Sequence, residues 1–260
     1  MDLILIIFIA FFVAVVFSML GLGGAIIYTP LFFWMGLPLL TAIPMALLLN
    51  TITTASASLT YLKQQFVDTK IAYPIIFSAI PGALLIGPYF ARIVNTQLII
   101  LLLSTILFFA GARILFFNSL GFTFRAGGIK KTVFCAGMGF LIGVLSSMAG
   151  VGGGTFIVPL LLIIGFEIKK AAATSSFIIT FIALAGFLGH LFVGRQQMDV
   201  SLLFFTGAAV FTGAQAGSRM VFKRLSPGAI NRLFAFVLLI IAGELLYGVI
   251  QRFIPVSSIP

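Results

Sequence analysis

Ser18-Met19-Leu20-Gly21-Leu22-Gly23-Gly24, followed by Pro30, and Ser147-Met148-Ala149-Gly150-Val151-Gly152-Gly153-Gly154, followed by Pro159, are two copies of one motif. The offset is 129 residues from Ser18 to Ser147, Gly21 to Gly150, Gly23 to Gly152, Pro30 to Pro159 and Gly36 to Gly165. Each copy interrupts a long apolar segment. Interruptions of hydrophobic segments at matching places in two halves point to the binding site of a membrane transporter.

The composition agrees. The chain has 260 residues, of which 62% are hydrophobic and only 8% charged. A soluble domain of this size has too little interior to hide that much apolar surface. Apolar runs long enough to span a bilayer recur along nearly the whole length, so the expectation is an all-α polytopic membrane protein. The net charge of +10 sits in short loops and at helix ends. That is the pattern of retention against an anionic cytoplasmic leaflet, not of nucleic-acid binding. The single cysteine, Cys135, excludes an intramolecular disulfide, a redox pair and a thiolate metal cluster, and no cofactor or metal is expected. Residues 3–20 read as a retained membrane helix, because no basic region precedes them and no small-residue cleavage site ends them.

Both halves show the same order of segments. The first has 3–20, 25–36, 42–62, 71–91 and 97–117; the second has 132–149, 154–166, 171–193, 201–222 and 229–251. The expected division is a first repeat (1–117), an inter-repeat loop (118–131) and a second repeat (132–260). The second segment of each half, at 1.5 Å per residue, covers roughly 18–20 Å, less than the hydrocarbon core. Segments one and two therefore read as a helical hairpin with a glycine tip inside the protein, where non-helical backbone is tolerated. Further along, Ala42 matches Ala171, Met45 matches Thr174 and Tyr61 matches His190. A shift of two residues aligns Gly82 with Gly213, and one more aligns Arg92 with Arg224.

Loop charges favour inverted repeats. A hairpin plus three helices makes an odd number of crossings. With the 63–70 loop in the cytoplasm, Lys63, Lys70, Arg113, Arg125, Lys130, Lys131, Lys169, Lys170, Arg219, Lys223, Arg224 and Arg232 lie inside, and only Arg92, Arg195 and Arg252 outside. Parallel repeats would divide the cations almost evenly, against the positive-inside rule. Both termini are expected outside the cell, in an inner or plasma membrane.

A helix beginning at Gly23-Gly24-Ala25 or at Gly152-Gly153-Gly154 presents N–H groups with no intrahelical acceptor, at the positive end of the helix dipole. Such an end holds an anion without a cationic side chain. The candidate site is Gly21, Gly23, Gly24 and Ala25 with Gly150, Gly152, Gly153 and Gly154, flanked by Ser18 and Ser147. Asn50, Ser175 and Ser176 offer neutral donors. Glu244, Gln215 and His190 are candidates for coupling or for lining a pathway. No catalytic residue is expected: a Ser147–His190 dyad would leave the first copy of the motif unexplained.

These features resemble the TauE/SafE family of membrane anion permeases, named for sulfite and organosulfonate export. The resemblance rests on the duplicated Gly-x-Gly-Gly motif with its downstream proline, on Ala171-Ala172-Ala173-Thr174-Ser175, and on the small-residue stretch Gly213-Ala214-Gln215-Ala216-Gly217-Ser218-Arg219. It implies a permease moving a small, typically sulfur-containing anion by secondary transport, with the anion at the two glycine tips. The partners implied are the anion and the lipid bilayer; a homodimer is compatible with the sequence. A small-carboxylate permease and a non-transporting scaffold subunit are the competing readings. The two halves differ at two points. Ala25 stands where the second copy has Gly154, and Met45-Ala46-Leu47 stand where the second half has Thr174-Ser175-Ser176. Cysteines placed in the 119–131 loop should be protected from impermeant reagents added outside the cell; labelling from outside would contradict this topology.

Overall fold

The computed structural model describes residues 3–93, 129–194 and 198–224, with scattered residues within 101–112 and 228–247. The helices are α1 (Leu3–Leu20), α2 (Ala25–Trp34), α3 (Leu39–Lys63), α4 (Thr69–Ile93), α5 (Ile129–Ala149), α6 (Gly154–Ile163), α7 (Ile168–Val193) and α8 (Val200–Arg224). No strand occurs among the described residues. Six of these helices are long and apolar enough to cross a membrane, while α2 and α6, at 10 residues each, are not. The chain is an all-α polytopic membrane protein. The expected segments 97–117 and 229–251 lie largely outside the described residues, and α5 starts at Ile129, three residues before the expected boundary.

Matching residues make matching turns. Gly36 (φ 89°) and Gly165 (φ 92°) end the two short helices in the left-handed region. There Leu37 N donates to Phe32 O at 3.2 Å, and Phe166 N to Leu161 O at 3.0 Å. Asp68 Oδ1 accepts from Ile71 N at the start of α4, and Asp199 Oδ1 accepts from Leu202 N at the start of α8. The aspartates are 131 apart, so the two-residue shift in register falls in the loops before them. Asp68 also pairs with Lys170 Nζ at 3.1 Å. Burial raises its carboxyl, but the Lys170 ammonium and the Ile71 N–H outweigh this and hold it below the usual carboxylate range.

Helix pairing has the same exchange symmetry. α1 packs on α8 as α5 packs on α4; α3 and α7 face each other at the centre, each also touching the other half's fourth helix. Glycines set these approaches. A Cβ on Gly213 would stand 2.5 Å from Phe11 O, and one on Gly82 2.7 Å from Phe140 O, its counterpart. Gly217 then meets Val15 O, and Gly87 meets Val144 O. Four residues separate the glycines of α8 and five those of α4. The extra residue is taken up by a π turn, Gly82–Ile86. This corrects the alignment of Arg92 with Arg224: past the π turn the register falls back by one residue instead of advancing.

The core lies between the halves, around Leu47, Ile75, Ala79, Ile142, Leu161, Ile178 and Ile182, with a second cluster around Ala14, Tyr28, Phe32, Met45 and Val210. Large apolar side chains such as Phe8, Phe77, Leu85 and Phe204 point outward. That is the surface a bilayer covers.

Candidate functional site

The first hairpin turns through two left-handed glycines and the second through three. In the first, Gly21 (φ 68°) lets Leu22 N reach Phe17 O at 3.1 Å, closing α1. In the second, Gly150 (φ 66°) lets Val151 N reach Ser146 O at 3.1 Å, closing α5. Gly23 (φ 69°) and Gly152 (φ 79°) then redirect the chain into α2 and α6. A side chain at these positions costs backbone strain. It also has no room: a Cβ on Gly152 would meet Asn50 and would lie 2.9 Å from Ala25 Cβ. All residues from Gly21 to Ala25 and from Gly150 to Thr155 are buried.

The two tips touch, and Asn50 joins them. Its Oδ1 accepts from Gly24 N at 2.6 Å and from Ala25 N at 3.1 Å, while its Nδ2 donates to Gly152 O at 3.4 Å. Each tip is also braced from the other half. Ser175 Oγ donates to Gly21 O at 2.7 Å, and Thr29 Oγ1 donates to Gly150 O at 2.7 Å. At the hairpin bases the halves repeat one contact with different side chains. Tyr61 Oη donates to Ser18 O at 2.6 Å, and His190 Nε2 lies 2.9 Å from Ser147 O. To bond that carbonyl, Nε2 must carry a proton. His190 thus engages the Ser147 backbone, not its hydroxyl, and no Ser–His dyad forms.

The tips differ in what is left over. At the first, Asn50 occupies the leading N–H groups of α2. At the second, the residue 129 positions after Asn50 is Ile179. No side chain caps α6, and its N-cap residue Gly153 is left-handed (φ 79°, ψ −18°). Among the described residues, four buried hydroxyls have no hydrogen-bond partner: Ser146, Ser147, Thr155 and Ser176. Two of them border this end: Thr155 stands in the first turn of α6, and Ser146 Oγ is 3.1 Å from the place a Cβ on Gly153 would take. Ser147 Oγ faces Gly87 and Gly186 instead, and Ser176 is buried on α7. Each unpaired buried hydroxyl costs on the order of 1–3 kcal/mol, so two at one uncapped helix start are expensive unless a ligand uses them. Ser18, the counterpart of Ser147, is satisfied through Val15 O at 3.0 Å.

Other candidates fall elsewhere. Thr51, Thr53, Thr54 and Thr180 donate to carbonyls four residues back, a local role. Gln215 is half-buried between α3 and α8: its Nε2 donates to Ser56 O at 2.7 Å, and its Oε1 accepts from Thr60 and Arg219. Glu244 is exposed, apart from the buried tips. Sequence reasoning passed over Thr29, Ser146 and Thr155. A comparison at the 129-residue offset reveals them, because each stands opposite an apolar residue: Val158, Phe17 and Ile26.

Among the described residues, the tips supply neutral donors and helix N-termini and no charged side chain. The family described as sulfite exporter TauE/SafE matches residues 6–245. The chain belongs to the TauE/SafE family. Among relatives, the probable membrane transporter protein YunE of Bacillus subtilis is 28% identical, covering 95% of this chain and 98% of the relative. The probable membrane transporter protein ORF9 of Sinorhizobium sp is 29% identical over 82% of this chain and 80% of the relative. Sulfite exporter TauE/SafE family protein 5 of Arabidopsis thaliana is 40% identical over 67 residues, 26% of this chain and 15% of the relative. No solved structure matches. This TauE/SafE chain is a membrane transporter, and its two halves are locked together at Asn50. Asn50→Ala, which orphans two buried N–H groups, should lower stability by about 2 kcal/mol or more. Thr51→Ala, which removes only a local bond, should be near neutral. Equal melting temperatures of the two purified variants would contradict the locking role.

Proposed function

We propose that the chain is a secondary transporter for a small anion, a sulfur oxyanion or an organosulfonate, with the second glycine tip as its main anion contact. The observation that carries this reading is the uncapped start of α6 beside the unpaired buried hydroxyls of Ser146 and Thr155. An oxyanion accepts hydrogen bonds from several donors at once. Ser146 and Thr155 supply hydroxyls, and the first turn of α6 supplies N–H groups with the positive end of its dipole. Charge-assisted bonds of this kind are stronger than neutral ones, so an anion would satisfy these donors.

The exchange symmetry of the helix contacts, together with the loop charges, supports two inverted repeats whose tips enter from opposite faces. In that arrangement the inter-repeat loop is cytoplasmic and both termini lie outside the cell membrane. Alternating access then exposes the tips to one side at a time, and their complete burial corresponds to an occluded state. The names of the family and of its Arabidopsis relative, which speak of sulfite export, support sulfur oxyanions over other anions.

Ser146→Ala and Thr155→Val should each leave the melting temperature of the anion-free protein unchanged or raised, because an unpaired polar atom is removed. The anion's affinity should fall roughly tenfold for each bond lost. The measurement is the shift in melting temperature across sodium sulfite, thiosulfate, sulfate, sulfoacetate, acetate, lactate and chloride. A shift with a sulfur anion in the parent, reduced in both variants, is expected. Shifts with carboxylates alone would make the chain a carboxylate permease. Sulfur-anion shifts that both variants retain in full would remove the second tip from the site.

A further inference from the structure

A cavity of about 400 Å³ lies between the C-terminal part of α3 and α8, lined by Leu59, Thr60, Lys63, Gln64, Gln215 and Arg219. Two of its six lining residues are cations. The chain has only five acidic residues, and none lines the cavity. The negative end of the α3 dipole, worth about half a charge, offsets only part of that excess. Gln215 orients the wall: its Oε1 accepts from Arg219 Nη2 at 3.2 Å and from Thr60 Oγ1 at 3.3 Å, while its Nε2 is anchored on Ser56 O. The volume falls within the range of small-molecule sites. Along α3 the cavity and the tips are linked by polar residues: Asn50, Thr53, Ser56, Thr60 and Lys63 follow at helical spacing, spanning roughly 20 Å.

We propose that this cavity is a second anion site, a loading station that takes a small oxyanion from solution ahead of the glycine tips. The idea rests on the transport reading above. A field from two uncompensated cations in a recess concentrates anions and speeds their arrival, an effect lost at high salt. The ligand chemistry is an oxyanion held by a guanidinium, an ammonium and neighbouring amides. A lipid headgroup phosphate shares that chemistry, so the test separates the two.

Gln64→Cys is placed in a Cys135→Ala chain, purified into neutral phosphatidylcholine nanodiscs. Labelling rates are measured with an anionic sulfonatoethyl methanethiosulfonate and with its cationic trimethylammonium counterpart. Adding Lys63→Gln and Arg219→Gln should lower the anionic-to-cationic rate ratio about tenfold or more. Sodium sulfate should slow the anionic reagent more than sodium chloride at equal ionic strength. A ratio within twofold of the parent overturns the proposal, as does equal slowing by the two salts. Slowing seen only in phosphatidylglycerol discs assigns the cavity to lipid and overturns it as well. This readout needs no transport. A cavity response that survives in a chain whose Ser146 and Thr155 variants keep full anion shifts would sink the tip site and leave the loading station standing.

Discussion

The fold depends on one neutral amide. Asn50 reaches from α3 into the place where two interrupted membrane segments meet, and its two ends do opposite work. The oxygen takes the first N–H groups of α2; the nitrogen holds a carbonyl of the other tip. Broken helices at membrane depth carry backbone groups that lipid cannot satisfy. An amide offers donors and an acceptor without a charge to bury, which a carboxylate or an ammonium would not. The glycines on either side follow from it: Gly23 and Gly152 lie so close to Asn50 that neither has room for a side chain.

The two halves have diverged in a complementary way. Polar residues of the first half, Thr29 and Asn50, brace the second tip, while their counterparts Val158 and Ile179 are apolar. In the second half Ser146, Thr155 and Ser176 replace Phe17, Ile26 and Leu47. The first tip thereby became a satisfied structural joint. The second kept its donors free, and a transporter needs free donors where its anion sits. In the proposed reading, the duplicated scaffold divides labour between holding the halves together and holding the cargo.

Much of this was legible in the sequence. The apolar runs and the glycines fixed α1 to within a residue, while the short segments, expected over 25–36 and 154–166, end as helices at Trp34 and Ile163, before the turns at Gly36 and Gly165. Ser18 and Ser147, and likewise Tyr61 and His190, were visible as matched residues of the repeat, but not the hydrogen bond that each half makes between its two. The π turn was not legible, because nothing in Gly82-Ala83-Leu84-Leu85-Ile86 signals an extra residue; only the backbone approach of α4 to α5 does. Asn50 read as a donor to substrate, whereas its oxygen is committed to the backbone. Ser146 and Thr155 looked like ordinary small polar residues of membrane helices. Their lack of a partner is a property of packing, which no spacing rule reports.

The central claim is that the free donors around the start of α6 hold an oxyanion. Anomalous diffraction at the selenium edge, from crystals of the protein grown with selenite, tests it most directly. The account predicts a selenium peak whose oxygens lie within about 3 Å of the Ser146 or Thr155 hydroxyl and of the first N–H groups of α6. A selenium peak away from both tips, with those hydroxyls bonded to one another or to water, would contradict it.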